Sequence, residues 1–355
     1  MMLSRSVGET RARSPYRGRP ANSFWRAAVS ENQGLGMSGL YEKKFEIEQS
    51  DSVATAGSCF AQHIATNLRR NGYSVVDTEP APRAMSTQTA ESFGFGIYSA
   101  RFGNIYYVRQ LLQLVREAYE EFEPQNWIWT KAGRYFDALR PSVEPSGLNS
   151  VEEVKKHRHQ HLAAVRKMLS QASVLVYTFG LTEGWVDKAS GTVFPTAPGT
   201  ICGDFDPDEF SFENFTYQDM VSDFEKLRRI IQRHNPDIKF LLTVSPVALA
   251  ATATNDHVLV ATTYSKAVLR AAAGDLASRY DDVAYFPSYE IITGSPARGR
   301  YWDDSLRSVT PDGVKEVMRH FFDAHPPAGI PQDEVAVVSA EQIQCEDVLL
   351  EVFGE

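Results

Sequence analysis

The chain has 355 residues, 43% of them hydrophobic and 23% charged, which excludes fibrous, collagenous and wholly disordered proteins and leaves one large decorated domain or two domains open. A formal net charge of −9 argues against nucleic acid as the main partner, because phosphate recognition calls for a basic surface. Cys59, Cys202 and Cys345 are too few and too scattered for a disulfide framework, and no CxxC pair points to structural zinc, so a reducing compartment fits.

In chain order, the first thirty residues carry six arginines against one acid but no apolar core of a signal peptide. Pro15, Gly18 and Pro20 interrupt any amphipathic targeting helix, so residues 1–45 are expected to form a basic arm that packs Phe24 and Trp25 onto the body. Residues 52–55 predict a short strand that turns at Gly57 into a helix, with Phe60, Ile64 and Leu68 on one stripe and Gly72 as its stop. Residues 74–77 predict a second strand. Residues 104–122, with Ile105, Val108, Leu111, Leu112, Val115 and Tyr119, predict an amphipathic helix.

An antiparallel hairpin is expected from 126–129 and 134–138 around 131–133, followed by a polar helix over 150–171. The nearly unbroken apolar run at 173–179 is the kind of strand that is buried on both faces. Residues 192–198 and 203–214 read as a long irregular excursion. Helices are then expected at 217–234, 259–279 and 311–322, the last with Pro311 just inside its start, and strands at 239–244 and 283–286. From 325 to 355 there are seven acids and no Lys or Arg after Pro326, Pro327 and Pro331, which predicts an appended acidic tail. No run of about eighteen apolar residues occurs, and the richest stretch, 240–251, is broken by Thr243, Ser245 and Pro246, so a soluble, cytoplasmic protein without a transmembrane segment is expected. The alternation of strands and helices predicts an α/β fold over 46–324, a three-layer doubly wound parallel sheet with an inserted hairpin and long loops.

Ligands of such sheets sit beyond the carboxyl ends of the strands, which singles out Gly57-Ser58-Cys59, Gly180-Leu181-Thr182-Glu183, Ser245-Pro246 and Ser288-Tyr289-Glu290. The first is the sharpest, because a thiol or hydroxyl at a helix N-terminus meets free N–H groups and a dipole that favour a thiolate or an oxyanion. The competing structural assignment makes Ser58 a helix cap and Cys59 an inward-packing apolar residue. Among the eight histidines, His63 lies one turn beyond Cys59 and His257 follows the 239–244 strand; these are the two candidate bases, with His257 preferred. His157, His159 and His161 alternate around a helix and form no metal cluster, while His234, His320 and His325 read as surface groups at helix ends or in the tail. Glu183, Glu290 and Asp304 follow three separate strands and could orient a histidine or bind sugar hydroxyls; the alternative pairs Glu290 and Asp304 with Arg300 or Arg307. Lys266 and Arg270, one turn apart, suit a phosphate or carboxylate.

The string AGSCFAQHIA (56–65) resembles the signature of the GSCFA-domain family. The similarity extends through RFGNIYYVRQLLQL (101–114), FGLTEGW (179–185), FPTAPGT (194–200), LTVSPV (242–247), YSKAVLRA (264–271), YFPSYEI (285–291) and DDSLRSVTPDGV (303–314). That resemblance implies a distant relation to SGNH or GDSL esterases and to polysaccharide O-acyltransferase domains, hence a flavodoxin-like fold. Laid over the esterases' GDSL turn, Cys59 falls at the nucleophile position, with Ser58 as the alternative one residue away. The esterases' third block supplies an Asn for the oxyanion; Gly180-Leu181-Thr182-Glu183 lacks it, leaving Thr182, Gly103 or Asn104 as substitutes. Their last block, Asp-x-x-His, reads Asp304-Ser305-Leu306-Arg307 here, and an arginine is no general base near neutral pH. The resemblance therefore implies an acyl-ester hydrolase or O-acyltransferase acting on a carbohydrate or polysaccharide precursor. The alternative is a catalytically impaired carbohydrate or nucleotide-sugar binding module. A coenzyme A-binding capsule-biosynthesis enzyme with a Gly-Asn-Cys turn is similar at this point, which makes acyl-CoA a candidate donor; no nicotinamide, flavin or nucleotide fingerprint is present.

Overall fold

Small and β-branched residues with no charge among them make Val53–Gly57 (β1) a strand buried along its whole length. It leads through Ser58 and Cys59 into Phe60–Arg70 (α1), which stops at Gly72 with φ +77°. There follow Thr87–Ser92 (α2), Val108–Ala118 (α3), the hairpin strands Ile128–Lys131 (β2) and Arg134–Asp137 (β3), and Val151–Gln171 (α4), whose Ser150 cap accepts from the Glu153 N–H. Val174–Phe179 (β4) is fully buried and is succeeded by Glu183–Asp187 (β5), Val193–Phe194 (β6) and Phe210–Asn214 (β7). A capping box of Thr216 and Asp219 opens Tyr217–His234 (α5). Lys239–Val244 (β8), Val258–Arg279 (α6), Val283–Tyr285 (β9), Ser288–Thr293 (α7) and Pro311–Ala324 (α8) complete the body.

This computed structural model describes residues 14–32, 37, 39–329, 336–337 and 346–354. It divides into two units, Met1–Leu40 and Tyr41–Glu355. The first holds a 3-10 turn at Ala21–Ser23 and a π-turn at Arg26–Ser30, with Phe24 and Trp25 between them. Cys345 and the tail residues 330–335 and 338–344 lie outside the described residues; Glu346–Gly354 forms a 3-10 stretch. Among the described residues no helix is long and apolar enough to cross a membrane.

The second unit is built on a four-stranded parallel sheet in the order β1-β4-β8-β9. Helices α1, α7 and α8 pack with one another, and α3, α4, α5 and α6 do the same, giving the helical layers of a three-layer flavodoxin-like fold. The strand expected at 74–77 is reduced to one parallel bridge, Val53 to Val75, on the outer edge of β1. The Val76 N–H donates to the Val53 carbonyl (2.9 Å), and two residues later the Thr78 N–H has turned away to the Ser99 carbonyl (3.0 Å). With that remnant counted, the order is the flavodoxin-like 2-1-3-4-5, and the switch point falls between β1 and β4.

Two further expectations change. Residues 104–107 are not helical; α3 begins at Val108 because the backbone of the preceding residues is spent on the sheet end, where the Ile105 N–H donates to the Gly57 carbonyl (2.9 Å). The excursion after β4 is also not irregular. It forms an antiparallel sheet in the order β6-β5-β7, and Trp129, Phe194 and Phe210 pack tilted and edge-on in a small core that joins it to the hairpin. The hairpin itself is as expected, turning at Ala132 and Gly133 with φ +50° and +75°.

Candidate active site at the sheet switch point

Gly57 pairs with Thr178 in the β1–β4 register and has φ +144°. A Cβ there would stand 2.7 Å from the Thr178 carbonyl oxygen, so the position is closed to any side chain. The chain then bends into α1, with Cys59 already helical at φ −50° and the Ala61 and Gln62 N–H groups donating to the Ser58 and Cys59 carbonyls (2.9 and 3.1 Å). Ser58 and Cys59 are 3% and 4% exposed. Ser58 is not a cap in the usual sense: its Oγ is buried and has no hydrogen-bond partner. From β4, Gly180 presses on it, since a Cβ at 180 would come within 2.9 Å of the Ser58 Cβ.

The 104–107 segment crosses the same end of the sheet. Its Tyr106 carbonyl accepts from the Gly180 and Leu181 N–H groups (2.9 and 3.0 Å), and Gln110 braces it by accepting from the Tyr106 N–H (2.9 Å) and donating to the Asn104 carbonyl (2.9 Å). Asn104 is buried, and its Oδ1 receives the Tyr98 hydroxyl (2.5 Å) and the Gln62 amide (3.3 Å). The Tyr98 hydroxyl also lies 3.1 Å from the Ser58 carbonyl, so α1, Tyr98 and Asn104 form one buried network around the turn.

On the other side, the buried Lys266 donates to the Gly180 carbonyl (2.5 Å), and its neighbour Ser265 accepts from the Thr182 N–H (3.0 Å). Thr182 donates its hydroxyl to Asn214 (2.7 Å). Ser245 is buried, donates its N–H to the Phe179 carbonyl (2.8 Å) and holds the loop after β8 through the Val247 N–H (3.3 Å). Arg270 pairs with Glu290 and lies 4.0 Å above the Tyr285 ring, while Tyr285 donates to the other Glu290 oxygen (2.7 Å). Lys266 and Arg270, read from spacing as one anion grip, thus direct their charges to different partners.

The histidines separate just as clearly. His257 is exposed at the N-terminus of α6, where its Nδ1 accepts from the Leu259 N–H (3.1 Å). His63 is 2% exposed, packs edge-on against Phe60, and burial pushes its pKa down to about 4. His161 is not on a solvated face: it is fully buried with Nδ1 2.7 Å from Glu79, beside Arg140 and Arg158. His320 and His325 are buried too, and His325 ties the Tyr41 hydroxyl and the Ile47 N–H (3.0 and 3.2 Å). His234 stacks on Tyr119 at 3.8 Å.

Asp304 is exposed in the loop 303–309, which the Trp302–Val309 bridge closes, and Arg307 donates to the Ala248 carbonyl (3.1 Å). Of the residues singled out from sequence, Gly57, Ser58, Gly180 and Lys266 meet at the switch point, with Asn104 tied in through Tyr98. Gln62, Tyr98, Gln110 and Ser265 complete the network and were missed. Gln62, Gln110 and Ser265 fall inside the matching blocks, and their polarity on otherwise apolar stripes was the available signal.

A protein-family model described as the GSCFA family matches residues 52–321. No curated protein matches the chain.

Proposed function

The chain belongs to the GSCFA family, and from that premise we propose that it is an acyl-ester hydrolase or O-acyltransferase whose nucleophile is Cys59, acting on a carbohydrate or polysaccharide precursor. The observation that carries this is the position of the Gly57-Ser58-Cys59 turn, a thiol at the first turn of α1 beside the β1–β4 switch point, where flavodoxin-like sheets bind their ligands. The α1 N–H groups, with Asn104 as the substitute that the family resemblance leaves, would stabilise the oxyanion.

In this mechanism the Cys59 sulfur bonds to the acyl carbonyl carbon as its proton passes to His63, which burial keeps in its neutral form. The residue four positions along shares the Cys59 face of the helix, which favours His63 over the exposed cap His257. Collapse of the tetrahedral adduct breaks the acyl–oxygen or acyl–sulfur bond, and the leaving alcohol or thiol takes the proton from His63. Water or a sugar hydroxyl then attacks the thioester, giving up its proton to the same imidazole, and the thiol is regenerated. With the thiol 4% exposed, substrate reaches it only as the surrounding loops open. Acyl-CoA is the donor that this chemistry accommodates.

Intact-mass measurement after incubation with acetyl-CoA or an activated acetyl ester tests the proposal. One acetyl adduct is expected in the parent chain and in Ser58→Ala, and none in Cys59→Ala. Absence of an adduct and of turnover across a panel of acyl donors, with a sugar ligand still bound, would turn the assignment to the carbohydrate-binding module.

A further inference from the structure

Beside the switch point lies a cavity of about 160 Å3 whose walls include Leu181, Trp185, Pro195, Ala197, Leu249 and Leu350. It is built by β5, the residues after β6, the loop after β8 and the C-terminal 3-10 stretch. Leu181 follows directly on Gly180, the residue that presses on Ser58, and Tyr106, whose carbonyl holds both of their N–H groups, is also in the wall. The cavity therefore begins next to the nucleophile turn.

Its polar groups are few. Both carboxylate oxygens of Glu183 are already taken, one by the Thr252 hydroxyl (2.6 Å) and one by the Ala253 N–H (3.1 Å), so this acid pins the loop after β8 over the cavity. Thr196 is different: it lines the cavity, is 7% exposed, and its hydroxyl is buried without a hydrogen-bond partner. An apolar space with one buried hydroxyl in want of an acceptor matches a hydrocarbon chain that carries one carbonyl or ester oxygen.

We propose that this cavity is the acyl-chain subsite, and that it admits an unbranched acyl group of roughly four to six carbons, since a cavity of similar volume lined by Leu, Ile and Phe holds one benzene ring. The assignment rests on the acyl-transfer function proposed above. The Thr196 hydroxyl donates to an oxygen of the bound ester or thioester, the chain lies between Trp185 and Leu249, and Leu350 closes the far wall and limits chain length.

The test is binding of S-acetyl, S-butyryl, S-hexanoyl and S-decanoyl N-acetylcysteamine to the full-length Cys59→Ala chain by titration calorimetry, so that no turnover intervenes. Affinity is expected to rise by up to about fourfold for each CH2 from acetyl to hexanoyl and to fall at decanoyl. Filling the cavity with Ala250→Phe should bring hexanoyl affinity down to that of acetyl. Should that variant not fold, Leu350→Ala should move the optimum to a longer chain. The fluorescence change on hexanoyl binding should vanish in Trp185→Phe. Equal affinity from acetyl through decanoyl, or unchanged length preference in both Ala250→Phe and Leu350→Ala, overturns the subsite. Length-selective binding to Cys59→Ala together with no acyl-enzyme in the parent chain keeps the subsite and removes only the acyl-transfer function; an acyl-enzyme formed without length preference does the reverse.

Discussion

The turn at 57–59 and the loop at 303–309 are the two places where the family resemblance puts reactive groups, and they are built in opposite ways. The turn is locked from every side: Gly57 against Thr178, Ser58 against Gly180 and Tyr98, and Cys59 at the head of a buried helix. The loop is on the surface. Asp304 and Leu306 are exposed, Leu306 has φ +56°, and Asp303 spends its carboxylate on the Ser305 N–H (3.0 Å) and hydroxyl. Arg307, which the family resemblance aligns with an esterase histidine, holds the 248 carbonyl. The turn is over-determined by packing, and the loop serves as a clasp on the loop after β8. In the proposed chemistry the base must therefore come from the buried side.

The largest effect should come from removing the thiol. Cys59→Ala is expected to lower kcat/KM on an activated ester by on the order of 10^4-fold, whereas Asp304→Asn should stay within about threefold of the parent. Comparable losses in the two variants would erase the contrast between turn and loop.

Backbone substitutions sharpen it next. Gly57→Ala combines a left-handed φ with a clash against backbone and should cost about 4 kcal/mol in denaturant unfolding. Gly299→Ala, at φ +73° in open space just before the loop, should cost about 1 kcal/mol.

Acid titration separates the regions by a third route. Burial holds His63 at about 4 against an ordinary 6.5, so between those values the unfolded chain binds the proton that the folded chain refuses. Its contribution is complete above pH 6.5 and is lost as pH falls towards 4, by about 3 kcal/mol in all. His63→Gln should flatten that part of the stability profile, measured as unfolding midpoints from pH 7 to 4, and an unchanged slope would place His63 outside the buried site. The smallest effect is expected at the clasp: Arg307→Ala should cost about 1 kcal/mol, the worth of its bond to the 248 carbonyl, and should leave the acetyl adduct on Cys59 intact.

Legibility followed the range of the interactions. The apolar run of β4, the stripe of α1 and the capping residues of α5 are written in consecutive residues, and those elements lie where periodicity put them. The β5–β7 sheet was missed because its short strands mix Trp, Glu, Asp and Ser, and their pairing is decided by what they pack on. α4 misled in a different way. Expected only as a polar helix, it turns Arg158 and His161 inward, where Arg158 meets Glu117 and Asp137 and His161 meets Glu79. Buried ion pairs carry the same letters as a surface, so no local pattern distinguishes them.

By itself the sequence determined the order of strands and helices, the family, and the turn on which the functional proposal depends, because hydrophobic period, glycine and helix caps act over a few residues. Only the tertiary structure decided the rest. It pressed Gly180 on Ser58 and tied it to Tyr106 and Lys266, drew an apolar cavity from five distant segments, buried His63 while leaving His257 in solvent, and turned Arg307 into a clasp. Each of these depends on contacts between residues tens to hundreds of positions apart, which exist only once the parallel sheet has set the strand ends side by side.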